Sequence, residues 1–166
     1  MVMQRMFKHL MTGSMAVKLA FPARSMDAIE QAIRDTEARH GGQIRFAVEA
    51  ALDFAALRHN QSAAERGIEV FSQLRVWDTE QNNGVLIYLM LADRDVEIIA
   101  DRGIHTKLGS AVWEAICREM EVAFRLGQFE EGVINGIHAV GSHLQRHFPK
   151  KSSFPVNELT DKPAVL

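Results

Sequence analysis

The sequence has little cysteine and little proline, and each shortage narrows what the protein can be. Cys117 is the only cysteine among 166 residues, which excludes an intramolecular disulfide and a cysteine cluster for zinc. It lies in an apolar helical pattern, which favours a buried structural thiol over a reactive one. The stretch between Pro22 and Pro149 contains no proline, so it predicts one compact unit without an internal linker.

Long apolar runs and an excess of basic residues are also lacking. No window approaches the ~20 apolar residues that a membrane-spanning helix needs. The net charge of -2 gives no general attraction to nucleic acid, so we predict no nucleic-acid partner. Near the N-terminus, Thr12, Gly13, Ser14 and Lys18 interrupt every run that could serve as a secretory signal. We therefore predict a cytoplasmic protein.

Three segments follow from the composition along the chain. Residues 1–22 predict a basic, amphipathic N-terminal arm, which either docks on the protein or contacts an anionic membrane surface at the inner face. Residues 23–148 predict a single α/β domain. Residues 149–166 combine proline and polar residues without periodicity, which predicts an extended or disordered tail.

The first half of the predicted domain is helix, strand and helix. Ser25 is the expected N-cap of the first helix. The predicted inner stripe of that helix is Ile29, Ala32, Ile33 and Thr36. Residues 43–52 alternate as in a strand covered on one face, and residues 53–61 predict a loop. Ser62 and Glu65 then form a capping-box pattern. The predicted buried face of this second helix is Ile68, Phe71 and Leu74.

The stretch NNGVLIYLMLADRDVEIIADRG, residues 82–103, predicts a hairpin. Its first strand is apolar on both faces, as in a central strand covered by helices on each side. A turn at Asp93-Arg94 would place Gly84 opposite Gly103. A strand, a crossover helix and a further strand favour a right-handed βαβ unit.

Two helices are predicted to close the domain, over residues 110–126 and 129–147. Gly127 is the expected stop of the first, and the spacing of Gly132 and Gly136 predicts close packing of the second. The order of elements predicts a three-layer α/β/α sandwich with a small mixed central sheet.

The hairpin prediction gathers polar side chains at one end of the sheet. These candidate metal ligands are Asp78, Glu80, Asn82, Asn83 and Asp101. Carboxylate and amide oxygens suit Ca²⁺ or Mg²⁺, and a bound cation there could orient water against a phosphate. The alternative is a solvated loop in which Asn-Gly makes a turn. Of His138, His143 and His147, only the last two have the four-residue spacing that aligns side chains on a helix, and a two-histidine site lacks a third ligand. All three are therefore predicted to be surface or rim histidines.

These motifs, taken in order along the chain, resemble the TPM-domain family. The resemblance is carried by Asn83-Gly84-Val85-Leu86, Arg94, Gly103, Phe124, Gly132, Gly136, Gly42-Gln43-Ile44-Arg45, His147 to Pro149 and the tail NELTDKP. The combination is similar to a compact bacterial subgroup of the family. The resemblance implies an α/β/α sandwich, divalent-cation binding, often of Ca²⁺, and the weak acid-phosphatase activity of plant members. It also implies a LemA-type membrane protein as a candidate partner.

Two departures from the family pattern bear on function. Asn82 stands where an acidic residue is usual, and Gly109-Ser110 stands near a second such position. The loss of two carboxylates weakens both cation affinity and metal-assisted hydrolysis. Two hypotheses follow: a non-enzymatic interaction module with weak cation binding, or a metal-dependent phosphoesterase.

Overall fold

The computed structural model describes residues 2–150 and 156–166. The helices of this part of the chain are α1 (Val2–Met11), α2 (Ser14–Ala20), α3 (Ala23–Glu37), α4 (Phe54–Arg58), α5 (Ala63–Gln73), α6 (Arg102–Leu108), α7 (Ser110–Arg125) and α8 (Phe129–His147). Its strands are β1 (Gln43–Glu49), β2 (Gly84–Met90), β3 (Asp95–Ala100) and β4 (Ala164–Val165). None of the described helices has the length and apolarity to cross a bilayer.

The four strands form one mixed sheet between two layers of helices. The strand order is β3-β2-β1-β4, in which β1 is parallel to β2 and β4, and β2 is antiparallel to β3. One face carries the main core against α3, α7 and α8, and the other carries a smaller core against α4 and α5. The predicted three-layer α/β/α sandwich with a small mixed sheet is confirmed.

Strand β1 departs from the prediction because it is buried along its whole length, not on one face. The alternation of Arg45 and Glu49 with apolar residues had indicated a solvated face. Arg45 is covered because it donates hydrogen bonds to the carbonyl oxygens of Thr160 and Lys162, and Glu49 is covered by Arg66 and Tyr88. Buried charged side chains need such partners, and these partners come from distant parts of the chain.

The hairpin is confirmed, but its register is two residues from the prediction. Its loop has four residues, Leu91 to Arg94, and Met90 pairs with Asp95. The backbone N–H groups of Leu91 and Ala92 donate to carbonyl oxygens at the end of β1, which keeps the chain beside β1 before it turns. Gly84 therefore lies opposite Asp101 rather than Gly103, and a shift of two preserves the face of every side chain.

Most helices have the bounds and buried faces that the sequence predicts, and the differences lie where packing contacts change how a helix begins or where it forms. α8 has the predicted bounds, and the predicted inner stripe of α3 is buried. However, α3 begins at Ala23, so Ser25 is not the N-cap, and its hydroxyl donates to Glu130 instead. The region predicted as a loop contains the short helix α4, and α6 was not predicted.

Helix α5 packs through its small residues rather than its large ones. Its buried residues are Ala63, Gly67 and Val70, at helical spacing, and Ile68 is 59% exposed. A Cβ on Gly67 would lie 2.6 Å from the Ile99 side chain, so the helix approaches the sheet closely only without one. The prediction that Ile68 is buried is wrong because side-chain size was given more weight than this close approach.

The segments that flank the domain are ordered in their described parts. α1 lies against the domain through Arg5 and His9, and α2 packs on the main core through Val17. Residues 156–166 extend along β1 and end in β4. Residues 151–155 of the predicted tail lie outside the described residues. The boundaries at residues 22 and 149 stay a prediction.

Candidate functional site

The candidate site lies where β2 begins and β3 ends. The backbone N–H of Asp101 donates to the Gly84 carbonyl oxygen at 2.9 Å, so the two residues face each other across the hairpin. Asp101 is also the N-cap of α6, and its Oδ1 accepts from the Arg102 N–H at 2.7 Å. The same residue thus ends a strand and begins a helix, which holds its carboxylate at this end of the sheet.

Asn83 directly precedes Gly84, at the end of the loop before β2, and is buried. It has no exposed surface, its N–H donates to Thr79 Oγ1 at 3.1 Å, and its Nδ2 donates to the Gly41 carbonyl oxygen at 3.0 Å. These bonds connect the loop before β2 to the turn that follows α3. Asn83 is therefore positioned by contacts on two sides.

One oxygen of each of these two side chains is left without a partner. Asn83 Oδ1 and Asp101 Oδ2 are buried, and neither accepts a hydrogen bond from any described residue. A buried polar atom without a partner costs roughly 1–3 kcal/mol. Both are acceptor oxygens, and an ordered water molecule would satisfy each of them.

Two glycines allow neighbouring backbone segments to approach each other closely at this end of the sheet. A Cβ on Gly103 would overlap the carbonyl oxygens of Gln81 and Asn82, so the first turn of α6 lies directly on the loop before β2. A Cβ on Gly84 would overlap the Val76 carbonyl oxygen. Both positions require glycine because of these contacts.

The five predicted ligands occupy two different surroundings. Asn82, Asn83 and Asp101 lie together at this end of the hairpin, with Asn82 in a left-handed turn at φ 51°. Asp78 and Glu80 are exposed, and the Asp78 carboxylate pairs with Arg75 at 2.8 Å. In residues 2–150 and 156–166, no three His, Cys, Asp or Glu side chains come together to hold a metal ion. Metal binding by the five residues stays a prediction.

A second polar cluster, which the sequence analysis missed, lies at the opposite end of β1 and β2. Glu49 accepts from Arg66 Nε at 2.9 Å, from Arg66 Nη2 at 3.0 Å and from the Tyr88 hydroxyl at 2.6 Å. Burial, followed by the bond to Glu49, raises the pKa of Tyr88. The hydrogen bond to Glu49 likewise raises the pKa of Arg66. The groups satisfy one another, which indicates a structural network. Spacing could not reveal it, because Glu49 meets Tyr88 only through strand pairing.

A third cluster joins the tail to the sheet and was also missed. Gln43 Oε1 accepts from the N–H groups of Glu158 and Leu159, and Arg45 donates to the backbone of the tail. Asp161 lies beside Glu37 and accepts from Asn157. Burial, more than any other cause, raises the pKa of Glu37 to about 8. These side chains hold residues 157–166 against β1.

Cys117 agrees with its predicted structural role. It is buried in the main core, and burial, followed by the charge of Glu97, raises its pKa to about 12. A thiolate is the nucleophilic form of cysteine, so this side chain is not an activated nucleophile.

The family of the chain follows from comparison of the sequence with known families. A model of the TPM domain matches residues 20–143. The chain belongs to the TPM-domain family. The match begins at the end of α2 and includes β1, β2, β3 and the candidate site, so the TPM domain provides three of the four strands and both ends of the hairpin. α1 and β4 lie outside the matched range.

Solved structures agree with this assignment. The chain is similar to the BA42 protein of the psychrophilic bacterium Bizionia argentinensis, with a TM-score of 0.76 and 29% identity, over 88% of this chain and 95% of that one. It is also similar to the N-terminal domain of a P. gingivalis protein, with a TM-score of 0.61 and 18% identity, over 78% and 82% of the two chains. The second likeness concerns the fold alone. No curated protein matches the chain.

Proposed function

We propose that this TPM domain is a non-enzymatic interaction module that binds a divalent cation, Ca²⁺ or Mg²⁺, weakly at the Asn83 and Asp101 end of the hairpin. The observation that supports it is that two acceptor oxygens at this end of the hairpin, Asn83 Oδ1 and Asp101 Oδ2, are buried and have no partner among the described residues. Oxygen atoms are the ligands that both cations take. Binding there would remove the cost of leaving these two oxygens unpaired.

Weak affinity is expected from the charge of the site. Asp101 supplies a single carboxylate, Asn83 supplies a neutral amide, and Asn82 stands at the position where an acidic residue is usual in the family. The affinity of calcium sites rises with the number of charged ligands. Asp78 and Glu80 lie a few residues before Asn82 in the chain, and both are exposed. We propose that they contact the cation through ordered water rather than as direct ligands.

Phosphoester hydrolysis is the alternative function and has less support. A metal-assisted hydrolase must hold its cation firmly and position an attacking water. Asp101 is the one carboxylate of the five predicted ligands that is partly buried at the hairpin end, while the Asp78 carboxylate is paired with Arg75. We therefore expect no cation-stimulated turnover of a simple phosphate ester such as p-nitrophenyl phosphate.

The partner we propose is a LemA-type membrane protein, at the cytoplasmic face of the membrane. This part of the proposal rests on the family and on the basic character of the N-terminal arm, since anionic lipids give that face its negative potential. Co-elution of the purified full-length chain with a purified LemA-type protein is the expected result. Separate elution, together with robust turnover of phosphate esters, would contradict the interaction module.

The cation site is tested by amide chemical shifts of the full-length protein during addition of Ca²⁺ or Mg²⁺. We expect shifts confined to residues 78–84 and 101–110. Asp101→Asn should weaken the response at least tenfold, and because asparagine is as good an N-cap as aspartate, α6 should remain intact. Asp53→Asn is the matched control, since Asp53 caps α4 in the same manner away from the site. An unresponsive spectrum at millimolar cation, or an unchanged response in Asp101→Asn, refutes the site.

A further inference from the structure

Helix α1 attaches to the protein through its polar side. Arg5 donates to Asp93 Oδ2 at 3.0 Å and to the Gln61 carbonyl oxygen at 2.9 Å. His9 is buried, and its Nδ1 accepts from the Leu52 N–H at 2.9 Å. Since Nδ1 accepts, Nε2 carries the hydrogen, which it donates to Asp93 Oδ2 at 3.1 Å. These contacts fix the rotation of the helix.

The opposite side of α1 is apolar and faces outward. Met3, Phe7, Leu10 and Met11 follow the spacing of one helical face, and Met15 and Leu19 extend it on α2. All six side chains are between 65% and 85% exposed. Phe7, Met11 and Leu19 line one groove, so the two helices form a continuous surface, which we call the arm face. Contiguous exposed apolar surface of this kind marks an interaction site.

The charged side chains of the N-terminal arm and of the first residues of α3 are all positive. The first 26 residues hold four of the 19 Lys and Arg residues and none of the 21 Asp and Glu residues, so they carry a charge of about +4, although the whole chain is negative. Lys8, Lys18 and Arg24 are exposed on this segment. An apolar face bordered by lysines and arginines is typical of helices that lie in the plane of an anionic membrane.

We propose that the arm face docks on an anionic phospholipid surface. Its apolar side chains enter the boundary between headgroups and acyl chains, and Lys8 and Lys18 place their amines among the lipid phosphates. A second copy of the chain is disfavoured as the occupant, because two N-terminal segments of residues 1–26, each with a charge of about +4, repel each other. The inward bonds of Arg5 and His9 prevent the helix from turning its apolar side toward the protein. The proposal deepens the membrane location given above and is independent of the cation site.

The test is co-sedimentation of the full-length protein with vesicles. Vesicles of phosphatidylglycerol mixed with phosphatidylcholine should bind the protein, binding should fall as salt is added, and vesicles of phosphatidylcholine alone should bind it far less. Phe7→Gln combined with Leu10→Gln should reduce binding at least tenfold. Each of Lys8→Gln and Lys18→Gln should reduce it roughly fivefold. Ile68→Gln, which changes an exposed apolar residue of α5, is the matched control and should bind as the wild type does.

Several outcomes would overturn the proposal. They are equal binding to both kinds of vesicle, binding to neither, and full binding by the Phe7 and Leu10 double variant. Sedimentation equilibrium without lipid is run in parallel, and a dimer that the double variant abolishes would assign the arm face to a second copy instead. Because the variants change exposed side chains, far-ultraviolet circular dichroism should show unchanged folding. If the wild-type protein does not bind vesicles but still shows the chemical-shift response to Ca²⁺, the docking proposal is refuted and the cation site is not.

Discussion

Replacing Glu37 with glutamine should remove one large pH-dependent contribution to the stability of this protein. Glu37 ends α3, is 9% exposed, and its Oε1 accepts from the Ile44 N–H at 2.6 Å. Burial is the main cause that raises its pKa to about 8, and the neighbouring carboxylate of Asp161 raises it further against the opposing effects of the Ile44 bond and the Arg45 charge. At neutral pH the folded protein therefore holds a proton on Glu37.

The sign of the pH dependence follows from the two pKa values. In the unfolded chain the pKa of Glu37 is the ordinary 4.5, and in the folded chain it is about 8. The folded state thus binds a proton that the unfolded state releases between these values, so the contribution of Glu37 to stability is complete below pH 4.5 and is lost as the pH rises through 8. Each pH unit within that window costs about 1.4 kcal/mol. Between pH 5 and pH 7 the contribution of Glu37 to the free energy of unfolding should fall by on the order of 2 kcal/mol.

Glutamine reproduces the protonated form of Glu37. Its amide oxygen can accept from the Ile44 N–H and its amide nitrogen can donate toward Asp161, without a group that ionises. The Glu37→Gln variant should therefore equal the wild type near pH 5 and exceed it by about 2–4 kcal/mol at pH 8. Urea unfolding followed by tryptophan fluorescence, at a series of pH values, measures the difference.

Glu30→Gln is the control for this prediction, because Glu30 lies on the same helix and makes an exposed pair with Arg34 at 2.7 Å. Its effect should stay below about 0.5 kcal/mol at every pH. A difference in the free energy of unfolding between Glu37→Gln and the wild type that stays constant from pH 5 to pH 8 would refute the reasoning. So would a Glu37→Gln variant that is less stable than the wild type at pH 8.

Three further predictions concern single positions. Gly127→Ala should cost about 1 kcal/mol through backbone strain alone, since Gly127 has φ 77° and nothing lies within 4 Å of an added Cβ. Gly136→Ala should cost more, because its Cβ would overlap Met120. Thermal unfolding compares the stability of the two variants. Ser62→Ala should lower the free energy of unfolding by about 1 kcal/mol by removing the capping box, and Ser72→Ala in the same helix should not. Cys117 should react with a thiol reagent at pH 8 only after denaturation, and labelling of the native protein would contradict its raised pKa.

Much of the fold could be predicted because it depends on neighbours in the chain. The capping box of α5 joins residues three apart, and α8 follows a helical pattern that starts just after Gly127. The hairpin was found because Asp93-Arg94 interrupts two apolar runs. The register of the hairpin was not predicted, because it depends on hydrogen bonds from Leu91 and Ala92 to the end of β1, about forty positions earlier in the chain.

Part of the candidate site could be predicted, because the hairpin pattern indicates which backbone segments meet. Asn83 and Asp101 were brought together by the hairpin pattern, and the structure has them on either side of Gly84. Asp78 and Glu80 were grouped with them by proximity in the chain. In the structure Asp78 pairs with Arg75, three residues earlier in the same segment, and both side chains are exposed. Spacing indicates which backbone segments meet, but it does not give the direction of each side chain.

By itself, the sequence determined the four long helices of the domain, the central hairpin and the three-layer arrangement, because these follow from periodicity, capping and strand burial within short segments. Only the tertiary structure decided which charged residues are buried and which apolar ones are exposed. Arg5 meets Asp93 across 88 positions, and Arg45 meets Thr160 across 115. Such contacts turn the polar side of α1 inward, leave Phe7 and its neighbours in solvent, and raise the pKa of Glu37. Hydrophobic pattern cannot predict them, because each depends on a partner that only the folded chain brings near.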